Sequence, residues 1–486
     1  LEHPSLWVKD SDKPAILDKI NTATLAKKLF DQYKSRVASL KSSHGANPQT
    51  IVNSIPALPG SRTTHRTILT SAFDAALLYW LTEDNDYGQI AADILHHYTT
   101  EISKKSGNID FHSGDYLIDS REAYTKPPMI YDFVFGFLKK PETTVYDKAT
   151  GTKVKFNFAK AETAFKKLAD NVFSRGGINS NHPVLEAPGA LFNTLAIDND
   201  ATRATYFNKF MNGTNKQNGL KWMIEECKES GIWPESTGYS LGPQRIILEL
   251  MEIVDKYKPS LKVFDNNLDI IESCFLFEDF RFPNDSEVMR FGDAHRTRLN
   301  TQAVMERIVV ISNRKNYADY KESSEAILKA IYKSKSNGYN PSVSTQSLEW
   351  NNPLQLLYNV NLDLTAITPI TYNRSININH AGIAMQRNTN TTNVEEYGLM
   401  GYTGGAHYVH SHLSGIDMEL YGLGAVLGTG GGDVGAGNNA RNGEEFRNYH
   451  RIFAGHNTVI VNGKSKGGGS GSWKSDNQLF MNKTET

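Results

Sequence analysis

Apolar residues recur at intervals of three and four from about residue 16 to residue 335, and beyond that stretch they alternate by two. A period near 3.6 lays apolar side chains along one stripe of a helix, whereas a period of two lays them on one face of a strand. The switch therefore excludes a purely helical or purely β chain. ILDKINTATLAKKLFDQYKSRVASL, RTILTSAFDAALLYWLT, FAKAETAFKKLADNVF, PQRIILELMEIVDKYK and TQAVMERIVVIS carry the helical period. Polar turns join them and no fixed sequence repeat is visible, which points to an array of helical hairpins rather than a regular solenoid.

After the polar stretch SKSNGYNPSVSTQS, the segments LDLTAITPITY, INHAGIAMQR, EEYGLMGYT, GIDMELYGLGAVLG and HNTVIVNG read as short strands bounded by Gly, Asn and Thr. The expected organisation is α+β and multidomain: a helical domain over 1–358, then an antiparallel, sandwich-like β-sheet domain over 359–486, the latter expected to be truncated at its C-terminal end. GKSKGGGSGSW, at 463–473, is flexible by composition and reads as a surface loop.

At 486 residues the chain exceeds the size at which one hydrophobic core stops growing. Its 52 basic and 53 acidic residues nearly cancel, so nothing global supports nucleic-acid binding. No apolar run approaches the roughly 20 residues of a membrane span. Neither nucleic acid nor membrane is expected as a partner. Cys227 and Cys274 lie in helix-like segments without ligand spacing and read as buried small hydrophobes. The first residue is Leu1 and no leader-like segment precedes the helical pattern.

Three stretches carry residues suited to chemistry. In INSNHPVLEAPGALFN, Asn181 and His182 offer adjacent hydrogen-bond donors before a helix-like run, and could serve a carboxylate ligand or simply form an N-cap beside a surface histidine. In GIWPESTGYSLGPQR, Tyr239 lies in a turn with Arg245 at the start of the next helix. A phenol acts as an acid or base near neutrality only beside cations, which Arg245 and the histidines could provide. In HYVHSH, His410 and His412 alternate by two, so on a strand they share a face. They could be two ligands of one metal, or one ligand beside a catalytic imidazole. Asp433 and His456 could complete a His, Asp, His zinc set.

NSNH at 179–182, STGYSLG at 236–242, RFGD at 290–293, INHAGIAMQR at 378–387, the HxH of HYVHSH and AGHNTVIVNG at 454–463 occur in an order that resembles the heparinase II/III-like polysaccharide lyases. Within them, the resemblance is greatest to the alginate lyases that join an (α/α) toroid to an antiparallel β-sheet domain. It implies an incomplete N-terminal (α/α) toroid as the catalytic domain. It also implies that Asn181 and His182 neutralise a uronate carboxylate, that Tyr239 is the acid and base, and that His410 is a second catalytic imidazole. His412, Asp433 and His456 would hold a structural Zn(II), with no organic cofactor. Lys126, Arg121, Arg296, Arg245 and His407 are candidates to bind the substrate. The implied reaction is β-elimination on a 4-linked uronate polymer, with alginate as the acidic polysaccharide partner and a secreted or periplasmic location. The alternatives are a glycosaminoglycan or ulvan lyase of the same superfamily, and a toroid glycoside hydrolase using Glu235 and Asp293 as opposed carboxylates.

Overall fold

The computed structural model describes residues 1–334 except 113, 115, 283–287 and 295–299, and then 354–366, 375–388, 398–403, 410, 412, 417–428, 455–460 and 462. The helices are α1 (Lys13–Thr22), α2 (Thr24–Ala46), α3 (Pro48–Ser54), α4 (Arg62–Thr82), α5 (Asn85–Lys104), α6 (Tyr116–Glu122), α7 (Lys126–Leu138), α8 (Phe158–Arg175), α9 (His182–Leu195), α10 (Asp200–Asn212), α11 (Leu220–Ser230), α12 (Thr237–Tyr257), α13 (Asp269–Asp279), α14 (Gln302–Lys315) and α15 (Ala318–Ser334). The strands are β1 (Val145–Asp147), β2 (Thr152–Val154), β3 (Ser375–Ile378), β4 (Ile383–Arg387), β5 (Leu399–Thr403), β6 (Asp417–Gly422) and β7 (Ala425–Gly428). Among the described residues, no helix is long and apolar enough to cross a membrane.

Contacts group the chain into two compact units that do not follow chain order. One holds Leu1–Trp222, Leu250–Leu261 and Leu328–Ile367; the other holds Met223–Glu249, Lys262–Ile327 and Thr368–Thr486. The division falls within α11, α12 and α15.

In the first unit α4 packs on α5 and α7, α5 on α8, and α8 on α9. Sharp turns with satisfied ends make this close succession feasible. Glu83 closes α4 in the left-handed region at φ 59°, and the next residue, Asp84, caps α5 by accepting from the Asp86 N–H. Ser61, Asn157 and Asn199 cap α4, α8 and α10 in the same way. α4 and α7 bury almost every residue along their inner lengths, including Phe73, Leu77, Met129 and Tyr131. Two charges in this core are paired: Arg36 bonds Asp74 at 2.6 Å, and burial still pushes the Asp74 carboxyl up to about 6.

The long period at 16–40 is broken in the structure. Ala23 is extended, at φ −107° and ψ 123°, and separates α1 from α2. Asn21, Thr22 and Thr24 around it are weak helix formers, so the break costs little.

The second unit pairs α13 and α14 with a five-stranded antiparallel sheet in the order β3-β4-β5-β6-β7. A single 3-10 turn, His380–Gly382, separates β3 from β4. Arg387 on β4 pairs with Asp279 on α13 at 2.9 Å, and both side chains are buried. Removing one partner of such a pair leaves a buried charge and costs several kcal/mol. Two expected strands do not form where described. Residues 362–366 of LDLTAITPITY are coil and bends, and residues 456–460 of HNTVIVNG are bends and coil. In the latter, the Asn457 N–H donates to the Asp417 carboxylate at 2.9 Å, so a side chain takes the bond that a strand partner would need.

Candidate functional site

The candidate residues in the second unit lie around the start of α12. The expected turn at Tyr239 is instead the first turn of that helix, which runs through Pro243. Pro243 cannot donate to the Tyr239 carbonyl, so the helix is anchored by other bonds. Ser240 donates its N–H to the Ser236 carbonyl and its hydroxyl to the Glu235 carbonyl, both at 2.8 Å. Gln244 ties α12 to the preceding loop by accepting from the Trp233 N–H at 3.0 Å, and to α13 by donating to Ser273 at 2.6 Å.

His410 and His412 are not on a strand, so their spacing of two does not give them one face. His410 sits in the left-handed region at φ 58°, and its carbonyl accepts the Asp293 N–H at 2.8 Å. Gly292, at φ 65°, lies under that carbonyl; a Cβ there would clash with it and come within 2.9 Å of the Ser236 Cβ. The RFGD glycine is thus required by close approach as well as by conformation.

The two imidazoles have different partners. His410 stacks on Tyr239 with ring centroids 3.7 Å apart and planes 10° apart. Its Nδ1 bonds the Glu235 carboxylate at 3.0 Å, and the Glu235 side chain is fully buried while that of His410 is 25 % exposed. With Nδ1–H donated to the carboxylate, Nε2 carries the lone pair, and no described residue bonds it. An imidazole oriented by a carboxylate and stacked on a phenol is an arrangement that can take up a proton. Behind it, His380 of the INHAGIAMQR stretch bonds the Glu235 carbonyl through Nε2 at 2.8 Å. Burial pulls the His380 imidazole down to about 4, so it stays neutral and serves as a strut.

His412 bonds Asp293 through Nε2 at 2.9 Å, and its Nδ1 faces Nε2 of His456 at 3.3 Å. His456 in turn bonds Asp417 through Nδ1 at 2.7 Å. Each histidine therefore spends one ring N–H on a carboxylate and turns its other nitrogen toward its neighbour. Two facing lone pairs repel unless a cation lies between them. For tetrahedral Zn(II) with Zn–N bonds of about 2.0–2.1 Å, two ligand nitrogens would be roughly 3.3 Å apart. Carboxylates on the outer nitrogens are the usual support of metal-bound imidazoles. The donor set thus fits a zinc ion, although among the described residues no third His, Cys, Asp or Glu completes the set. Asp433 lies outside the described residues, as do His407 and Arg296.

Asp417 was not a candidate from sequence. The only signal was its place in GIDMELYG, where acidic residues alternate with apolar ones. Glu235 and Asp293, considered as hydrolase carboxylates, each orient a histidine here; their side chains are 0 % and 10 % exposed. A pair of carboxylates facing a scissile bond would require neither to be so engaged. Arg245 is half-buried on α12.

In the first unit, Asn181 stands at the N-cap of α9 but its side chain does not cap the helix, and His182 is exposed. The turn before them is held from behind: the Gly177 N–H is shared by Glu186 at 2.9 Å and Gln217 at 3.2 Å, and Ser180 takes a left-handed φ of 62°. Lys126 is buried at the start of α7 with its ammonium 5.5 Å from the Phe73 ring. It lines a small niche with Arg62, Arg66 and Glu122. Arg121 is half-buried on α6.

Burial pushes the Glu186 carboxyl up to about 8. Below about pH 4.5 it is protonated in both folded and unfolded chains. Between there and pH 8 only the unfolded chain releases the proton, so stability falls as pH rises, by up to about 1.4 kcal/mol per unit. Glu186→Gln keeps an acceptor for Gly177 and removes this loss. Thermal melts are expected to coincide with the parent at pH 5 and to lie several degrees higher at pH 8; equal midpoints at pH 8 would refute the buried neutral acid.

A family model described as the second domain of endo-acting ulvan lyases matches residues 229–373. The curated endo-acting ulvan lyase of Formosa agariphila is 34% identical over 506 aligned residues, covering 99% of this chain and 61% of that protein, so the chain spans about three fifths of its relative. Among solved structures, heparan sulfate lyase HepC from Pedobacter heparinus aligns with a TM-score of 0.50 and 14% identity over 82% of this chain and 53% of that one. A HepC mutant gives 0.52 and 14% over 82% and 54%. At that identity the likeness concerns fold: a helical toroid followed by a β domain, as the motif order implied.

Proposed function

From its relation to the heparinase-like polysaccharide lyases, we propose that this chain cleaves a 4-linked uronate polymer by β-elimination, and that the polymer is ulvan rather than alginate. The choice of polymer follows the identity to an endo-acting ulvan lyase and the matching domain model. The chemistry rests on one observation, the Tyr239 ring stacked on His410, whose Nδ1 is held by Glu235.

Elimination breaks the C5–H bond, forms the C4=C5 double bond and breaks the bond from C4 to the glycosidic oxygen. The C5 proton is weakly acidic until the adjacent carboxylate is neutralised by hydrogen-bond donors, the part that the sequence resemblance implies for Asn181 and His182. The proton passes to Tyr239 as its phenolate, or to Nε2 of His410 with Tyr239 as the neutral phenol, according to the face on which it lies; in the second case the imidazolium afterwards returns its proton to the phenolate left when the leaving oxygen is protonated. The Tyr239 hydroxyl protonates the leaving oxygen, giving one new reducing end and one 4,5-unsaturated end. Glu235 holds the tautomer that leaves Nε2 basic and stabilises the imidazolium after proton transfer. Arg245 in the second unit, and Lys126 and Arg121 in the first, are each candidates to bind an anionic group of the polymer.

The test is short-wavelength ultraviolet absorbance, which rises with a conjugated unsaturated uronate, during incubation with ulvan, alginate and heparan sulfate in parallel. A rise with ulvan alone is expected. A rise with alginate alone would reverse the choice of polymer, and new reducing ends without absorbance would overturn elimination.

A Zn(II) would be held by His412 and His456, each imidazole backed by its carboxylate, Asp293 or Asp417, with Asp433 as the further ligand that the sequence resemblance implies. The ion would be structural, steadying the segment that carries His410 two residues away. Metal analysis is expected to find one zinc per chain, and a strong chelator to lower the melting midpoint by several degrees. His456→Ala should abolish the zinc signal. Metal-free protein with an unchanged midpoint would refute this assignment.

A further inference from the structure

A cleft of about 400 Å³ opens in the first unit where α10, the first turn of α11 and the C-terminal end of α12 meet. Its volume lies in the range of small-molecule sites. Its floor is aromatic, with Phe207 and Tyr257 at a centroid distance of 4.9 Å and planes 59° apart. The Tyr257 hydroxyl accepts from Nε of the buried Arg203 at 3.3 Å, which sets the angle of the ring. The rim is cationic and amidic: Lys221 donates to Asn212 at 2.7 Å, Asn212 donates to Asn208 at 2.7 Å, and the Lys258 ammonium lies 6.0 Å from the Phe207 ring.

No Asp or Glu lines the cleft. Neither Lys221 nor Lys258 is in an ion pair among the described residues, whereas nearby Lys209 and Lys256 pair with Asp170 and Glu252. Two ammonium groups and two amides around a half-buried tyrosine match a sugar ring bearing an anionic group. The ring's C–H face stacks on the aromatic, its carboxylate or sulfate lies between the lysines, and its hydroxyls bond the amides.

We propose that this cleft is a second binding site for an anionic sugar of the polymer, separate in residues from the Tyr239 and His410 site. Its role is to hold the chain between cleavages, and in that respect it rests on the lyase reading.

The experiment is affinity electrophoresis of the full chain in gels containing ulvan, heparan sulfate or neutral dextran, with Tyr239→Phe as the background that leaves the polymer intact. Lys221→Gln with Lys258→Gln is expected to weaken retardation by the anionic polymers roughly ten-fold. A charge-matched control, Lys28→Gln with Lys153→Gln, should change it little. In the otherwise unaltered chain the first pair should raise KM on polymer and leave turnover of short oligosaccharides unchanged. Retardation equal to that of the control pair would overturn the site, as would equal retardation in dextran. If no acidic polymer yields unsaturated product but the lysine pair still abolishes retardation, the lyase reading fails and the binding site stands.

Discussion

Tyr239→Phe is expected to lower turnover on the acidic polymer by about 10²–10⁴-fold, the usual contribution of a positioned proton donor and acceptor. Only one oxygen is lost, and the ring that stacks on His410 at 3.7 Å remains. The fold is therefore expected to lose no more than about 1.5 kcal/mol, the scale of one hydrogen bond. KM should stay close to the parent value, because the phenol works on the reacting bond rather than on the anionic groups. Initial rates by short-wavelength ultraviolet absorbance, with a melting curve on the same samples, separate the two effects. Turnover within ten-fold of the parent would remove Tyr239 from the reaction.

Glu235→Gln is the next largest effect, on the order of 10²-fold in kcat with KM little changed. The carboxylate is fully buried and bonds Nδ1 of His410 at 3.0 Å. An amide there either accepts from Nδ1–H without stabilising the imidazolium or presents NH₂, which forces the proton to Nε2 and abolishes the base. The same variant decides between reaction classes. A hydrolase using Glu235 as its acid would lose the formation of reducing ends, and no unsaturated product would be present in the parent. A lyase loses both products in step. An unchanged kcat would show that His410 needs no orienting carboxylate.

Much of the architecture was legible because periodicity is local. The helical stripes over 66–82, 158–173 and 301–312 correspond to α4, α8 and α14, and the alternation in INHAGIAMQR and EEYGLMGYT ends in β4 and β5. Failures occurred where a side chain or a single dihedral overrode the pattern. HNTVIVNG alternates like a strand, yet Asp417 takes the Asn457 N–H. β6 alternates apolar and acidic residues, and a strand of that kind ordinarily buries the apolar set. Here Asp417 and Glu419 are 6% and 1% exposed while Met418 is 37% exposed, because the buried face must support His456 and Arg290.

The candidate residues divide along the same line. Residue type and order were enough to single out Tyr239, His410, His412 and His456, since imidazoles and a phenol in polar turns have a short list of uses. Their pairing was not. His410 pairs with Glu235 and His412 with Asp293, residues 175 and 119 positions away in the chain. What the sequence by itself determined was the periods of the elements and the chemical repertoire, both properties of neighbouring residues. Which carboxylate orients which imidazole, and which face of β6 is inside, were decided only by tertiary structure, because those bonds close over long loops and exist only once the surrounding packing has been formed.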